Sequence, residues 1–304
     1  MLTIFTAIAP VFLLIMSGYA LRRGGIPSTE FWNLNDKLVY WVLMPALFFA
    51  KISAADLGNP GLWTLAGILY AGFFAAIAYG LLAGRGRTPA DASSVLQGSA
   101  RFNTFIGLSL AEALFGAAGL QIAILGSALL IPVVNITVVT LMARQLGAGR
   151  GGLLGDLVRN PLILSIGAGI AFNLAGFREV PVLHEMARIL GNAALPIMLM
   201  CVGANLRLRG LHGSVAATAL ATIGKLVIFP AGVLAAIYAL QPVMLTAEIA
   251  LIFAALPTGV SAYTLARQMG GNAQLMATII TVQTLLSFLT LPATLMLARW
   301  LFPL

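Results

Sequence analysis

The sequence predicts an all-α integral membrane protein of ten transmembrane helices, built as two inverted five-helix repeats in which helices 4 and 9 are broken. Three observations predict it: the composition, the number of long apolar runs, and a recurrence of prolines and glycines at a fixed offset. Of 304 residues, 60% are hydrophobic and 9% charged, with a mean hydropathy of +1.00. A water-soluble chain carries roughly a quarter of its residues as charges. Here no hydrophilic domain separates the apolar runs, so the solvent is lipid and there is room for one membrane domain. Spanning strands are excluded, because open edges cannot face lipid and the runs lack the alternation of a barrel.

A helix that crosses the hydrocarbon needs about 20 apolar residues, and ten segments qualify. The first, 3–21, is followed rather than preceded by Arg22 and Arg23, the reverse of a cleavable signal peptide. Helix 2 (38–54) carries Pro45, and helix 3 (61–83) is an uninterrupted apolar run. Helix 4 (92–115) is centred on Asn103, and helix 5 (118–143) holds Asn135. Helices 6 (160–176), 7 (186–206), 8 (213–239), 9 (244–268) and 10 (273–301) follow, with Pro196 in helix 7, Lys225 in helix 8 and Pro257 in helix 9.

The net charge of +8 does not indicate a nucleic-acid partner, because the cations sit in short segments between apolar runs and form no basic stripe. With the N-terminus outside, the inner side collects eleven of them: Arg22, Arg23, Lys37, Arg85, Arg87, Arg144, Arg150, Arg159, Arg207, Arg209 and Arg267. The outer side collects four, namely Lys51, Arg178, Arg188 and Arg299. The positive-inside rule then puts both termini outside.

Pro10 and Pro161, Gly18 and Gly169, Gly25 and Gly176, and Pro45 and Pro196 are all separated by 151 residues. Further along the offset becomes 154, setting Asn103 over Pro257 and Gly116 over Gly270. Each half has five helices, and an odd number forces the second copy to enter the membrane inverted. The repeats are 1–146 and 160–304, joined by a linker at 147–159.

In inverted-repeat folds a helix of each repeat is broken near the midplane, beside the binding cavity. Pro257 removes an amide and clashes with the preceding turn, while Thr258 and Ser261 offer hydroxyls to the freed groups. Helix 4 has no proline, and its polar run Gln97–Thr104 is the weaker breaker. Arg101 and Lys225 are cations deep in the bilayer with no carboxylate at their depth, an asymmetry that points to an anion. Arg101 reads either as a ligand or gating contact or as a structural tie. Lys225 reads either as a ligand contact or as a fixed charge that replaces a coupling cation at helix carbonyl ends. Asn135 is a buried amide that needs partners, in the cavity or on a neighbouring helix. Glu112 and Glu248, towards the outer ends of helices 4 and 9, are candidates for a proton relay or are interfacial carboxylates.

Several other signals carry no chemistry. Gly147, Gly149 and Gly152 match GxGxxG but follow a transmembrane helix rather than a strand. Asn135-Ile136-Thr137 matches a glycosylation sequon inside a span. His184 is expected in an outer loop and His212 in an inner one, without a serine or carboxylate beside either. The single Cys201 suggests neither a disulfide nor a metal site. No enzyme, cofactor or metal is expected.

The segments Arg101-Phe102-Asn103-Thr104-Phe105-Ile106-Gly107, Leu256-Pro257-Thr258-Gly259-Val260-Ser261-Ala262-Tyr263, and Leu38 to Phe49 with Pro45 resemble the auxin efflux carrier family. The resemblance covers the whole chain. It implies a bile-acid symporter-like fold in which helices 4 and 9 cross at the midplane, a scaffold bundle beside a transport bundle, and a homodimer through the scaffold. It also implies a bacterial inner-membrane carrier of a small organic anion such as malonate, malate or an auxin-like acid. Carried onto this chain, the helix 4 crossover corresponds to Asn103 and its neighbours, the helix 9 crossover to Pro257 and the helix 5 polar position to Asn135. The residues themselves place the anion between the two breaks, with Asn103, Thr104, Thr258, Ser261 and the Arg101 charge as its expected contacts beside Asn135 and Pro257. The long cytoplasmic loop of plant members is absent, as is their crossover proline in helix 4. A sodium-coupled symporter of the bile-acid type and a non-transporting membrane sensor are the competing readings.

Overall fold

The computed structural model describes residues 2–147, 159–207 and 214–301, and among these every regular element is a helix. Most of the expected 147–159 linker, with Gly149 and Gly152, and His212 lie outside the described residues. Helix α1 (Leu2–Arg23) ends on the cations Arg22 and Arg23, which suit the negative end of the helix dipole. Helix α2 (Thr29–Leu38) is capped by Ser28, whose hydroxyl accepts from the Phe31 N–H at 3.3 Å, and it continues through a π turn, Val39–Leu43, into α3 (Met44–Ser53). The sequence places this helix at 38–54; it starts earlier because the cap organises the polar turn ahead of the apolar run. The π turn has a local cause. Pro45 cannot donate to the preceding turn, and its ring crowds the carbonyl there, so the helix widens by one residue just before it.

Helix α4 (Gly61–Ala83) is followed by α5 (Pro89–Ala100) and α6 (Thr104–Leu146). The 43 residues of α6 would reach about 65 Å, roughly twice the hydrocarbon thickness. The element is two helices that meet at Gly116 (φ 60°, ψ −151°), a conformation that only glycine adopts readily. Helix α7 (Pro161–Leu174) starts at Asn160, whose Oδ1 accepts from the Leu162 N–H at 3.0 Å. Helix α8 (Pro181–Ala204) begins five residues ahead of the expected span, with Pro181 at its first turn where no N–H is needed.

Helix α9 (Val215–Ile223) runs through a second π turn, Gly224–Ile228, into α10 (Phe229–Leu240). Pro230 stands to this turn as Pro45 does to the first. Helices α11 (Met244–Ala255), α12 (Ser261–Met269) and α13 (Ala273–Leu301) complete the described chain.

Six helical stretches are long and apolar enough to cross a membrane, and α7 and α11 are shorter apolar helices. Large side chains such as Leu13, Trp63, Leu174, Ile189 and Leu289 stay exposed, as a lipid-facing surface requires. The protein is a multi-pass integral membrane protein. Inside lipid, helices associate through close backbone approach rather than the hydrophobic effect. Accordingly Gly18 of α1 meets the Met200 main chain of α8, Gly203 of α8 meets the Ile15 main chain of α1, and Gly169 of α7 packs on Ile52 of α3. Gly72 of α4 and Gly232 of α10 form a further close pair.

Candidate functional site

The helical path is lost twice deep in the fold, at Arg101–Asn103 between α5 and α6 and at Leu256–Val260 between α11 and α12. Arg101, Asn103 and Leu256 have extended backbones. The two breaks meet. The Asn103 N–H donates to the Pro257 carbonyl at 2.8 Å, and the Thr258 hydroxyl donates to the Gly98 carbonyl at 3.0 Å. A Cβ at Gly259 would stand 2.8 Å from the Phe102 carbonyl oxygen, so this approach requires glycine. Gln283 of α13 closes the junction: the Thr258 N–H donates to its Oε1 at 2.9 Å, and its Nε2 donates to the Gly98 carbonyl at 2.8 Å and the Ala221 carbonyl at 3.2 Å. Main-chain groups freed this deep find no water and must be satisfied by protein. The Asn103 Oδ1 also caps α6, accepting from the Phe105 and Ile106 N–H groups at 3.2 and 3.3 Å. That cap, with the bond to Pro257, stabilises a break in helix 4 without a proline.

A cavity of about 1640 Å³ opens beside the junction. Arg101, Asn103, Thr104 and Ser261 line it from the breaks, with Tyr40 from the first π turn, Asn135 from α6 and Asn160 ahead of α7. Among the described residues seven cations line it, Arg22, Arg23, Lys37, Arg101, Arg159, Arg207 and Arg267, against the single acid Asp36. All but Arg101 belong to the side that the sequence reads as inner, and none of the four outer cations is among them. Walls of one sign focus the field and concentrate counter-ions.

Two donors in this wall have no acceptor among the described residues. Arg101 Nη2 donates to the Ser261 hydroxyl at 3.2 Å, while its Nη1 and the Asn103 Nδ2 are buried without a hydrogen-bond partner. Buried donors are normally satisfied. Two free ones, on residues two apart that line one cavity, suit an oxyanion.

Not every candidate gathers there. Pro257 contributes its carbonyl to Asn103, and Thr258 is fully buried against α5, outside the cavity lining. Lys225 is fully buried, and its Nζ donates to the Ala254 and Phe253 carbonyls at 2.8 and 3.3 Å and lies 3.7 Å from the Phe229 ring centroid. It caps the carbonyl end of α11 and does not line the cavity. Glu248 accepts from Arg299 Nε at 2.7 Å, Glu112 is exposed, and neither lines the cavity.

His184 departs from expectation. It lies in α8 rather than a loop, buried, with Nε2 2.8 Å from the Ser53 hydroxyl. The Val180 N–H donates to Nδ1 at 2.8 Å, which puts the imidazole proton on Nε2, facing the serine. The ring therefore offers Ser53 a donor, not a base. Sequence reasoning also missed Asp36, Asn160, Asn205 and Gln283. Gln283 carried a usable signal, a lone amide inside an apolar span, the same signal that singled out Asn135.

Over residues 3–150 and 152–295 the chain matches the family described as "Membrane transport protein". The chain belongs to that family. It is the auxin efflux carrier family that the break motifs resemble. An "Uncharacterized transporter" of Methanothermobacter thermautotrophicus is 26% identical over 294 residues, covering 93% of this chain and 94% of that protein. A "Putative malonate transporter" of Rhizobium meliloti is 28% identical over 316 residues, covering 96% and 95%. The family identifies a membrane transporter rather than an enzyme.

Proposed function

We propose that the chain is a secondary carrier that moves a small organic anion, a carboxylate such as malonate, malate or an auxin-like acid, by alternating access. The observation that carries this reading is the joined pair of breaks, with the free donors Arg101 Nη1 and Asn103 Nδ2 on a cation-lined cavity. A carboxylate takes both donors through its oxygens, with Ser261, Thr104 and Asn135 around it. The name of the Rhizobium relative makes malonate the first anion to try.

The architecture we infer is ten spans in two inverted repeats, 1–146 and 160–304, with both termini outside a bacterial inner membrane. Matching contacts support it. Gly18 meets the Met200 main chain; Gly169, 151 residues after Gly18, meets the carbonyl of Phe49, 151 residues before Met200. Arg22 Nη1 donates to the Ala204 carbonyl at 2.8 Å, and Asn173, 151 after Arg22, donates to the carbonyl of Ser53, 151 before Ala204, at 2.7 Å. Gly25 and Gly176 both have positive φ, 76° and 81°.

In this reading α1 to α3, α7 and α8 form a scaffold, through which the family implies a homodimer. The bundle holding the breaks moves against it in an elevator-like step, and the cavity as it stands opens inward. A sodium-coupled mechanism is disfavoured because Lys225 Nζ takes the α11 carbonyls that a cation would need.

Flux of labelled malonate, malate and indole-3-acetate into proteoliposomes of the purified chain tests the proposal. Uptake above protein-free liposomes that Asn103→Ala abolishes is expected. No flux of any of the three, or full flux in the variant, would sink it.

A further inference from the structure

Among the described residues the cavity is lined by seven cations and one carboxylate, and that carboxylate is the one acid with a buried oxygen that lacks a hydrogen-bond donor. Asp36 lies in α2, ahead of the expected span 38–54. Its Oδ2 accepts from Asn205 Nδ2 at 2.6 Å, while Oδ1 is buried with no donor. A buried carboxylate oxygen without a donor is costly when charged and much less so when protonated.

The groups around Asp36 leave that cost standing. From α1 comes Arg22, but its Nη1 is committed to the Ala204 carbonyl at 2.8 Å and the Asn205 Oδ1 at 3.3 Å. From α8 and its end come Cys201 and Asn205. Lys37 follows on the same helix, and Arg101 lines the same cavity. Burial pushes the Asp36 carboxyl above its ordinary range, and hydrogen bonds from Asn205 and Cys201 and the charge of Arg22 offset this only in part. The other two acids considered for proton transfer lie elsewhere, Glu248 paired with Arg299 and Glu112 on the surface.

We propose that Asp36 is the proton site of the carrier, taking up one proton as an organic anion binds in the same cavity, so that anion and proton move together. Protonation removes the one negative charge that the described residues give the cavity and raises its positive excess, which favours an anion. By linkage, the anion favours the proton to the same degree. This rests on the carrier reading above and adds its driving ion.

The test uses the purified full chain and sodium-free malonate above the ligand's own titration range. In weakly buffered detergent solution with a pH indicator, wild type should take up close to one proton per malonate bound, and Asp36→Asn should bind malonate without uptake. In proteoliposomes, wild type should accumulate malonate down an imposed pH gradient. Asp36→Asn should exchange malonate at equal pH without accumulating it, and Asp36→Glu should restore accumulation. Malonate affinity should change about fivefold or more across the Asp36 titration, a coupling of ordinary size.

Malonate binding to wild type without proton uptake, unchanged uptake in Asp36→Asn, or accumulation that follows a sodium gradient would overturn the proposal while leaving the carrier reading intact. Should Asp36→Asn fail to fold, Asp36→Glu decides, because an unshifted pH profile of malonate affinity also overturns it. Absence of flux of every anion tested removes the carrier reading, and the proton site with it.

Discussion

The main-chain N–H of Asn103 donates to the carbonyl of Pro257 at 2.8 Å, joining two residues 154 apart that the proposed repeats set over one another. One hydrogen bond thus ties the two helix breaks to each other. The side chain of Asn103 is left to divide its own groups, with Oδ1 on the α6 cap and Nδ2 free.

That division separates folding from binding. Asn103→Asp keeps the cap acceptor and removes the free donor, so it should fold with a thermal midpoint near wild type and lose malonate binding by at least about tenfold. Asn103→Ala also loses the cap, at about 0.5–2 kcal/mol. Thermal unfolding in detergent beside a binding isotherm distinguishes the two variants.

Arg101 should act on the anion directly. Arg101→Gln removes the charge and the free Nη1, and the loss of a charge-assisted hydrogen bond, about 1.5–3 kcal/mol, should raise the malonate KM by roughly 10- to 100-fold. Ser261→Ala removes the acceptor that holds Nη2 and one neutral hydroxyl beside the anion, and should cost far less. Equal losses in both variants would make Arg101 a structural tie, and initial rates of malonate uptake are the measurement.

Lys225→Met keeps the length of the side chain and leaves the Phe253 and Ala254 carbonyls without their Lys225 donor. It should lower the thermal midpoint, at about 1–3 kcal/mol, and should leave the malonate affinity of the folded fraction near wild type, because Lys225 does not line the cavity.

Gly203→Ala places a methyl group against the Ile15 main chain. Backbone cannot yield as a side-chain tip does, so overpacking should cost about 1–3 kcal/mol or more and separate α1 from α8. Gly167→Ala, where a Cβ meets nothing within 4 Å, is the matched control for thermal unfolding.

Asp36 gives a pH dependence of stability with a definite sign. Its folded carboxyl titrates above the ordinary value of 3.8, so the folded state binds the proton more tightly than the unfolded chain does. The cost of its charge is absent at low pH, grows as pH rises through the ordinary carboxylate range, and is complete above the folded titration. Asp36→Asn should therefore be at least as stable as wild type at neutral pH, and the difference should vanish in acid. Unfolding midpoints of both proteins across that window check it.

Much of the fold was legible because it is written in local patterns. Apolar runs of span length marked the helices, and Pro257 and the polar stretch around Asn103 marked the breaks. The polar helix α2, which precedes the expected span 38–54, was not legible because the Ser28 cap and its polar residues carry no hydropathy signal. His184 was misplaced for a related reason. Its partner Ser53 lies 131 residues away in sequence, and no pattern around either residue refers to the other.

The sequence by itself determined that this protein lives in lipid, which segments are helical and where two helices must break, since these follow from hydropathy, proline and glycine acting over a few neighbours. Only the tertiary structure decided which polar groups are spent and which are free. It gives Lys225 to the end of α11, Thr258 and Gln283 to the junction, and Arg22 to Ala204, and it leaves Arg101 Nη1, Asn103 Nδ2 and Asp36 Oδ1 without partners among the described residues. A hydrogen-bonding group is satisfied by whatever atom comes within about 3 Å, and that is set by how distant helices approach one another.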